Sequence, residues 1–291
     1  MINEVLPGLY RLEIPLPKSP LKALNSYVVK GDGRFLIIDT GMNREECIEA
    51  MRSGLSALGV DLNRTDFFIT HFHADHLGLA ATLAADKSRV YLSQVEAQSS
   101  SLNELKRAEY WKRWDEVYRS HGFAEDQMAA ALQSHPGRRY SLKRRIDFSI
   151  IREGDRIDIG EYSFRCIETP GHSPGHVCLY DDNKKVLISG DHILDDITPN
   201  ITAWPEMENS LRRYLESLDR VYDLDVKITL PGHRSLISDH RARIRELRAH
   251  HEARLQEAMS ALENGPRTAY QVAPRITWDI GFKSWSLFPP I

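Results

Sequence analysis

Four side chains of metal-ligand type, His71, His73, Asp75 and His76, crowd into six residues directly behind the short apolar run Phe67-Phe68-Ile69-Thr70. Such a β-favouring run, closed by polar residues, predicts a buried strand over 67–70 that ends where the first histidine begins. Chemistry therefore sits at the C-terminal end of a strand. Residues two apart on an extended backbone project to one side, so His71 and His73 can grip one ion while Phe72 turns to the core. Asp75 and His76 fall at the turn into a helix expected over 75–86. Adjacent residues there point apart, toward a second ion a few Å away.

The same arrangement recurs in Thr169-Pro170-Gly171-His172-Ser173-Pro174-Gly175-His176, in Ile188-Ser189-Gly190-Asp191-His192 and in Leu230-Pro231-Gly232-His233. Each sets a ligand-type residue at a glycine-punctuated strand end. Strands are expected over 9–14, 25–30, 35–39, 67–70, 89–92, 163–168, 176–180, 186–190 and 227–230, and helices over 44–57, 75–86 and 207–222. Lys30-Gly31-Asp32-Gly33-Arg34 and Tyr180-Asp181-Asp182-Asn183-Lys184 carry hairpin-turn residues. Strands come first as meanders and then alternate with helices. The fold class is mixed α/β, with two sheets packed face to face and helices outside. Pattern alone does not order the layers.

The His-x-His-x-Asp-His motif, a later histidine, Asp191 and the last His233 resemble the metallo-β-lactamase-fold hydrolases over about residues 9–237. That resemblance implies an αββα sandwich with the metals at one edge, and a catalytic domain over 1–237. It implies a first metal on His71, His73 and His176, a second on Asp75, His76 and His233, and Asp191 bridging both. In this pattern His172 shapes its loop and is not a ligand. Asp39 matches the family's aspartate that hydrogen-bonds near the site and orients a ligand; a turn-forming aspartate is the plainer reading.

Nitrogen and carboxylate donors without thiolate suit two Zn²⁺ per chain, and Fe or Mn take the same donors. Two ions sharing Asp191 would ionise a water held between them, and the hydroxide would attack a carbonyl or phosphoryl centre, with Asp75 orienting it. No residue stands out as acid for the leaving group. The aspartate bridge is similar to that of glyoxalase II and lactonase relatives, which implies ester, thioester or lactone hydrolysis of a small molecule. Leu194 stands three residues after Asp191, where quorum-quenching lactonases place a tyrosine, a departure that weighs against homoserine lactones. Asp195, Asp196, Thr198 and Asn200 follow in a loop expected to line the pocket. The other readings are an endoribonuclease of the lactamase-beta-like protein 2 type and a single-iron persulfide dioxygenase.

A helical insertion over 98–145 breaks the alternation. Leu102, Leu105, Trp111, Trp114 and Tyr118 recur at helical spacing, while Lys106, Arg107, Lys112, Arg113 and Arg119 fall largely elsewhere. This face either forms a lid over the site or packs on the core or on the partner of a homodimer. A second short helix is expected over 125–134. Arg138, Arg139, Lys143, Arg144 and Arg145 form a basic cluster that reads as a solvated face more readily than as a seat for an acidic substrate. Over 238–291, Ser238-Asp239 can cap a long helix over 240–263, stopped by Asn264-Gly265-Pro266. Residues from Gly265 onward look like the start of the winged-helix appendage of lactamase-beta-like protein 2 relatives, either reduced or cut short here.

With 291 residues, 42% of them apolar, the chain can bury a large core, so one domain plus an appendage is expected. A net charge of −3 gives no global attraction to nucleic acid or to an anionic membrane. Cys47, Cys166 and Cys178 are few and scattered, which suits a reducing compartment. Residues 1–10 lack a signal-peptide pattern and no apolar run approaches spanning length, so a cytoplasmic location is expected.

Overall fold

A computed structural model describes residues 1–100, 104–124, 140, 142 and 144–278, with the side chains of 104–107 excepted. The first sheet holds seven strands in chain order. β1 (Ile2–Leu6), β2 (Leu9–Pro15), β3 (Ala23–Lys30) and β4 (Phe35–Ile38) pair antiparallel. β5 (Thr65–Phe68), β6 (Val90–Ser93) and β7 (Ser149–Ile151) then join β4 in parallel. The second sheet is a four-strand meander, β8 (Arg156–Ile159), β9 (Tyr162–Glu168), β10 (Val177–Asp181) and β11 (Val186–Gly190), with β12 (Ile228–Pro231) parallel to β11.

Strands buried on both faces read as unbroken apolar runs, and the period of two divides their side chains between two cores. Tyr27, Val29 and Phe68 of the first sheet meet Phe164, Val177, Leu179, Val186 and Ile188 of the second. Their neighbours Val28 and Phe67 point outward, onto Met51 and Leu55 of α1 (Glu45–Ala57) and onto Leu77 and Leu79. Across the molecule Cys178 and Leu187 face Tyr214 and Leu218 of α6 (Ser210–Tyr222) and Ile244 and Leu247 of α7 (His240–Leu262). Four layers result, helix, sheet, sheet, helix, as an αββα sandwich requires.

Several boundaries differ from expectation. β5 stops at Phe68, but Ile69 N–H still bonds Tyr91 O at 3.0 Å and Thr70 O accepts from Val177 N–H at 3.0 Å. The backbone thus leaves one sheet and crosses to the other as the first histidine begins. The helix expected over 75–86 is two short ones, α2 (Ala74–Leu77) and α3 (Ala80–Leu83). The chain turns at Gly78, where any Cβ would lie 2.4 Å from Ala74 O and 2.8 Å from Gly41 O. α6 begins at Ser210, because Asn209 is left-handed with φ 55°. β1, β7 and β8 have no counterpart among the expected strands.

The insertion carries α4 (Gln94–Ser100) and α5 (Glu104–Ser120). Trp114 and Tyr118 of α5 are buried against Trp204, with Phe72 and Tyr110 beside them, so this face packs within its own chain. The helix expected over 125–134, Leu102, the side chain of Leu105, Arg138, Arg139, Lys143 and residues from 279 onward lie outside the described residues. Asp239 caps α7 by accepting from Ala242 N–H at 2.9 Å, as expected of a short polar residue before a helix. Beyond it, α8 (Ala269–Val272) touches the end of α5: Tyr270 N–H bonds His121 O at 3.1 Å. Among the described residues no helix is long and apolar enough to cross a membrane.

Candidate metal centre

The histidine-bearing loops meet at one rim of the sandwich because the strands that carry them end there. Asp39, just past β4, has φ 60° and accepts from Thr70 N–H and Thr70 Oγ1–H, both at 2.9 Å. Its Oδ2 lies 2.7 Å from His76 Nδ1 on α2. At the other sheet, Asp191 follows β11 and His233 follows β12. The His233 turn is held from β3, with Tyr27 Oη–H and Asn25 Nδ2–H donating to Pro231 O at 2.7 and 3.0 Å. His233 Nδ1 lies 2.7 Å from Ala23 O.

These outer contacts occupy one nitrogen of each ring and turn the other inward. His71 Nδ1 faces Thr70 Oγ1 at 3.0 Å, and His172 Nδ1 faces Asn200 O at 2.8 Å. Inside the ring of loops, His71 Nε2 and His73 Nδ1 are 2.9 Å apart, and His172 Nε2 lies 3.3 and 3.0 Å from them. On the other side, His233 Nε2 is 3.4 Å from an oxygen of Asp75 and 3.4 Å from Asp191 Oδ2. Asp191 Oδ1 is 3.4 Å from His76 Nε2, and its Oδ2 is 3.7 Å from His172 Nε2. Among the described residues three groups form, each with donor atoms within 4.8 Å of one another: His71, His73 and His172; His71, His76 and Asp191; Asp75, His76 and His233.

His176 is not among them. His172 meets His71 and His73, whereas the resemblance assigns that place to His176. Both nitrogens of His176 are taken by the protein, Nε2 accepting from Asp191 N–H at 3.2 Å and Nδ1 facing Thr169 Oγ1 at 2.8 Å. The ring lies beneath Gly190, whose Cβ, if present, would be 2.7 Å from His176 Nε2. The loop-shaping role assigned to His172 fits His176 better, since His176 braces the turn that carries Asp191.

The two sides differ in charge. Burial holds His71 and His73 well below the ordinary histidine range, reinforced by neighbouring histidines, and burial also lowers His172 despite nearby Asp191. Burial pushes His233 and His76 down too, but Asp191 and Asp75, with Asp39 at His76, outweigh it. His233 rises to about 10 and His76 lies well above its usual value. Burial raises Asp75 and Asp191, yet His76 and His233 overcome it and hold Asp75 at about 2 and Asp191 well below the usual carboxylate range.

A divalent cation fits these residues. His76 Nε2, His233 Nε2 and Asp191 Oδ1 are buried and have no hydrogen-bond partner, an expensive state for polar atoms unless something else binds them. Residues 21–233 match a family model described as the metallo-beta-lactamase superfamily. The chain belongs to that superfamily. It is 27% identical to the probable metallo-hydrolase YqjP of Bacillus subtilis, over 86% of this chain and 79% of that one. It is 26% identical to the human acyl-coenzyme A thioesterase MBLAC2, over 72% of each. A metallo-beta-lactamase family protein from Thermus thermophilus superposes with a TM-score of 0.82 at 30% identity, covering 99% of this chain and 91% of the other. Superfamily membership and the clustered histidines and aspartates make the protein a metal-dependent hydrolase.

Two residues beside the site carried no signal in the sequence. Glu96, on α4, is 1% exposed and joins two of the histidine loops; burial raises its carboxyl to about 7 against the hydrogen bonds of Ser173, Phe72 and Gly175. Trp204 donates Nε1–H to His172 O at 3.1 Å and stacks on His73 with ring centroids 5.8 Å apart. Of the loop after Asp191, Asn200 reaches the site through its carbonyl, Asp196 pairs with Arg234 at 3.5 Å, and Leu194 is buried.

Proposed function

We propose that this protein is a dinuclear hydrolase of carboxylic esters, thioesters or lactones. The observation that carries it is the set of inward, buried atoms on His76, His233 and Asp191 that make no hydrogen bond, facing a second set of histidine nitrogens across one carboxylate. His71, His73 and His172 would hold one cation and Asp75, His76 and His233 the other, with Asp191 reaching both. Zn²⁺ suits these donors, and Fe or Mn shares them.

When bound, such a pair lowers the pKa of water toward neutrality and polarises a carbonyl oxygen. Asp75 and Asp191 stay anionic at neutral pH and can orient a water by accepting its hydrogen bonds. In the overall reaction a water oxygen bonds to the acyl carbon, the C–S or C–O bond breaks, and one proton passes to the leaving group. Phe72 and Trp204, backed by Trp114, form an apolar wall beside His73 that suits an acyl chain. A thioester is the first choice because a relative similar over 72% of this chain is named an acyl-coenzyme A thioesterase. Arg144, of the basic cluster, is exposed and donates to Ala81 O and Ala84 O at 2.6 and 3.0 Å at the end of α3.

The experiment is metal analysis followed by a panel of acyl thioester, lactone, cephalosporin and phosphodiester substrates. Two divalent ions per chain with thioester or lactone turnover is the expected result. One iron per chain with oxygen uptake on a persulfide, or turnover of the phosphodiester alone, would contradict it.

A further inference from the structure

The loop Gly171-His172-Ser173-Pro174-Gly175-His176 contains a serine and a second glycine that the metal chemistry does not use. Both face α4. Glu96 Oε1 accepts from Ser173 Oγ–H at 2.7 Å and from Gly175 N–H at 2.6 Å, while Oε2 accepts from Phe72 N–H at 2.9 Å. Phe72 lies between His71 and His73, and Ser173 follows His172. One side chain therefore grips both loops that form the three-histidine group. Gly175 is what allows the approach, since a Cβ there would come within 2.4 Å of Ser93 Oγ and 2.9 Å of Glu96 Cγ.

A carboxyl group this deeply buried is costly unless it is hydrogen-bonded, and here three donors satisfy it. Two of its bonds run to residues flanking the three histidines, Phe72 and Ser173, and the third to Gly175 farther along the His172 loop. On the opposite side Asp39 holds His76 through a direct contact at 2.7 Å, and it reaches His71 only through Thr70. We propose that Glu96 is a positioning residue that clamps the His71–His73 loop to the His172 loop and so sets the affinity of that half for its cation. The proposal rests on the dinuclear reading above.

The test is zinc competition against a chromophoric chelator, with cobalt(II) absorption spectra on the same samples, for wild type, Glu96→Ala, Glu96→Gln, Ser173→Ala and Asp39→Asn. Glu96→Ala is expected to weaken one of two sites by about 10- to 100-fold, the range for loss of an outer partner of metal ligands, and to alter one cobalt component. Glu96→Gln keeps an oxygen for Ser173 and Gly175 but sets an NH2 against Phe72 N–H, so its loss should fall between wild type and Glu96→Ala. Ser173→Ala should cost about 3- to 10-fold, one hydrogen bond's worth. Asp39→Asn should weaken mainly the other site, with a smaller effect on His71 through Thr70.

Circular dichroism establishes that each variant is folded, and if Glu96→Ala does not fold, the graded losses in Glu96→Gln and Ser173→Ala decide. Folded variants that bind both ions like wild type, or that lose both alike, overturn the proposal. A wild type that takes up a single ion overturns the dinuclear reading. If Glu96→Ala loosens that ion the clamp stands; if not, it falls too.

Discussion

The two halves of the metal rim are built differently. His71, His73 and His172 form a nitrogen-only group that burial keeps neutral, on loops tied together by Glu96 and Trp204. Asp75, His76 and His233 form a charged group whose histidines hold protons against carboxylates, on turns pinned by Asp39 and by Ala23 O. Histidine binds a metal only as the neutral base. The first half therefore presents free lone pairs at neutral pH, and the second must release protons when a cation enters. Asp191 has carboxylate oxygens near each half.

The largest effect that would break this comparison is at Asp191. Asp191→Ala should lower thioester turnover by about 100- to 1000-fold or more, the cost of removing a group that acts at the reacting atoms. Metal content should also fall, and full occupancy with normal turnover would refute the shared role. Next is the pair His172→Ala and His176→Ala. The first should empty the nitrogen-only half in metal analysis. The second should keep both ions and cost about 1–3 kcal/mol of stability, as for a lost buried hydrogen-bonding partner. Loss of metal in His176→Ala alone would reverse the assignment.

Smaller still is the pH response of the metal-free protein. His233 has a folded value of about 10, above its ordinary 6.5, so its stabilisation is complete below about pH 6.5 and is lost as pH rises toward 10. Asp75, at about 2 against 3.8, stabilises above about pH 4, and that contribution is lost as pH falls through 2. The melting temperature of metal-free protein should fall between pH 6.5 and 10, by about 2–4 °C per kcal/mol lost. In the loaded protein a cation replaces the proton, and that decline should disappear. Calorimetry at pH 7 in buffers of different ionisation enthalpy should show proton release on zinc binding. A melting curve that is flat with pH without metal would remove the charge difference between the halves.

Much of this was legible in the residues. The αββα order came from family resemblance, and most strands lie within a residue or two of expectation because buried strands are continuous apolar runs. β1 is exposed and β8 alternates buried with exposed, so neither forms such a run. The break after Gly78 comes where Leu79 N–H bonds the distant Gly41 O at 3.0 Å, a contact that no local pattern contains. Pro170-Gly171-His172 and Pro174-Gly175-His176 repeat the same three residue types within one loop, and only the folded contacts, His172 against His71 and His73 and His176 under Gly190, tell the two histidines apart. Glu96 could not be found from its own neighbours, since its partners lie 24, 77 and 79 residues away.

A crystal grown with zinc and measured at its absorption edge tests the two-cation arrangement most directly. Two anomalous peaks should appear on either side of Asp191, one bounded by His71, His73 and His172 and the other by Asp75, His76 and His233. A single peak, or one with His176 as a ligand in place of His172, would contradict it.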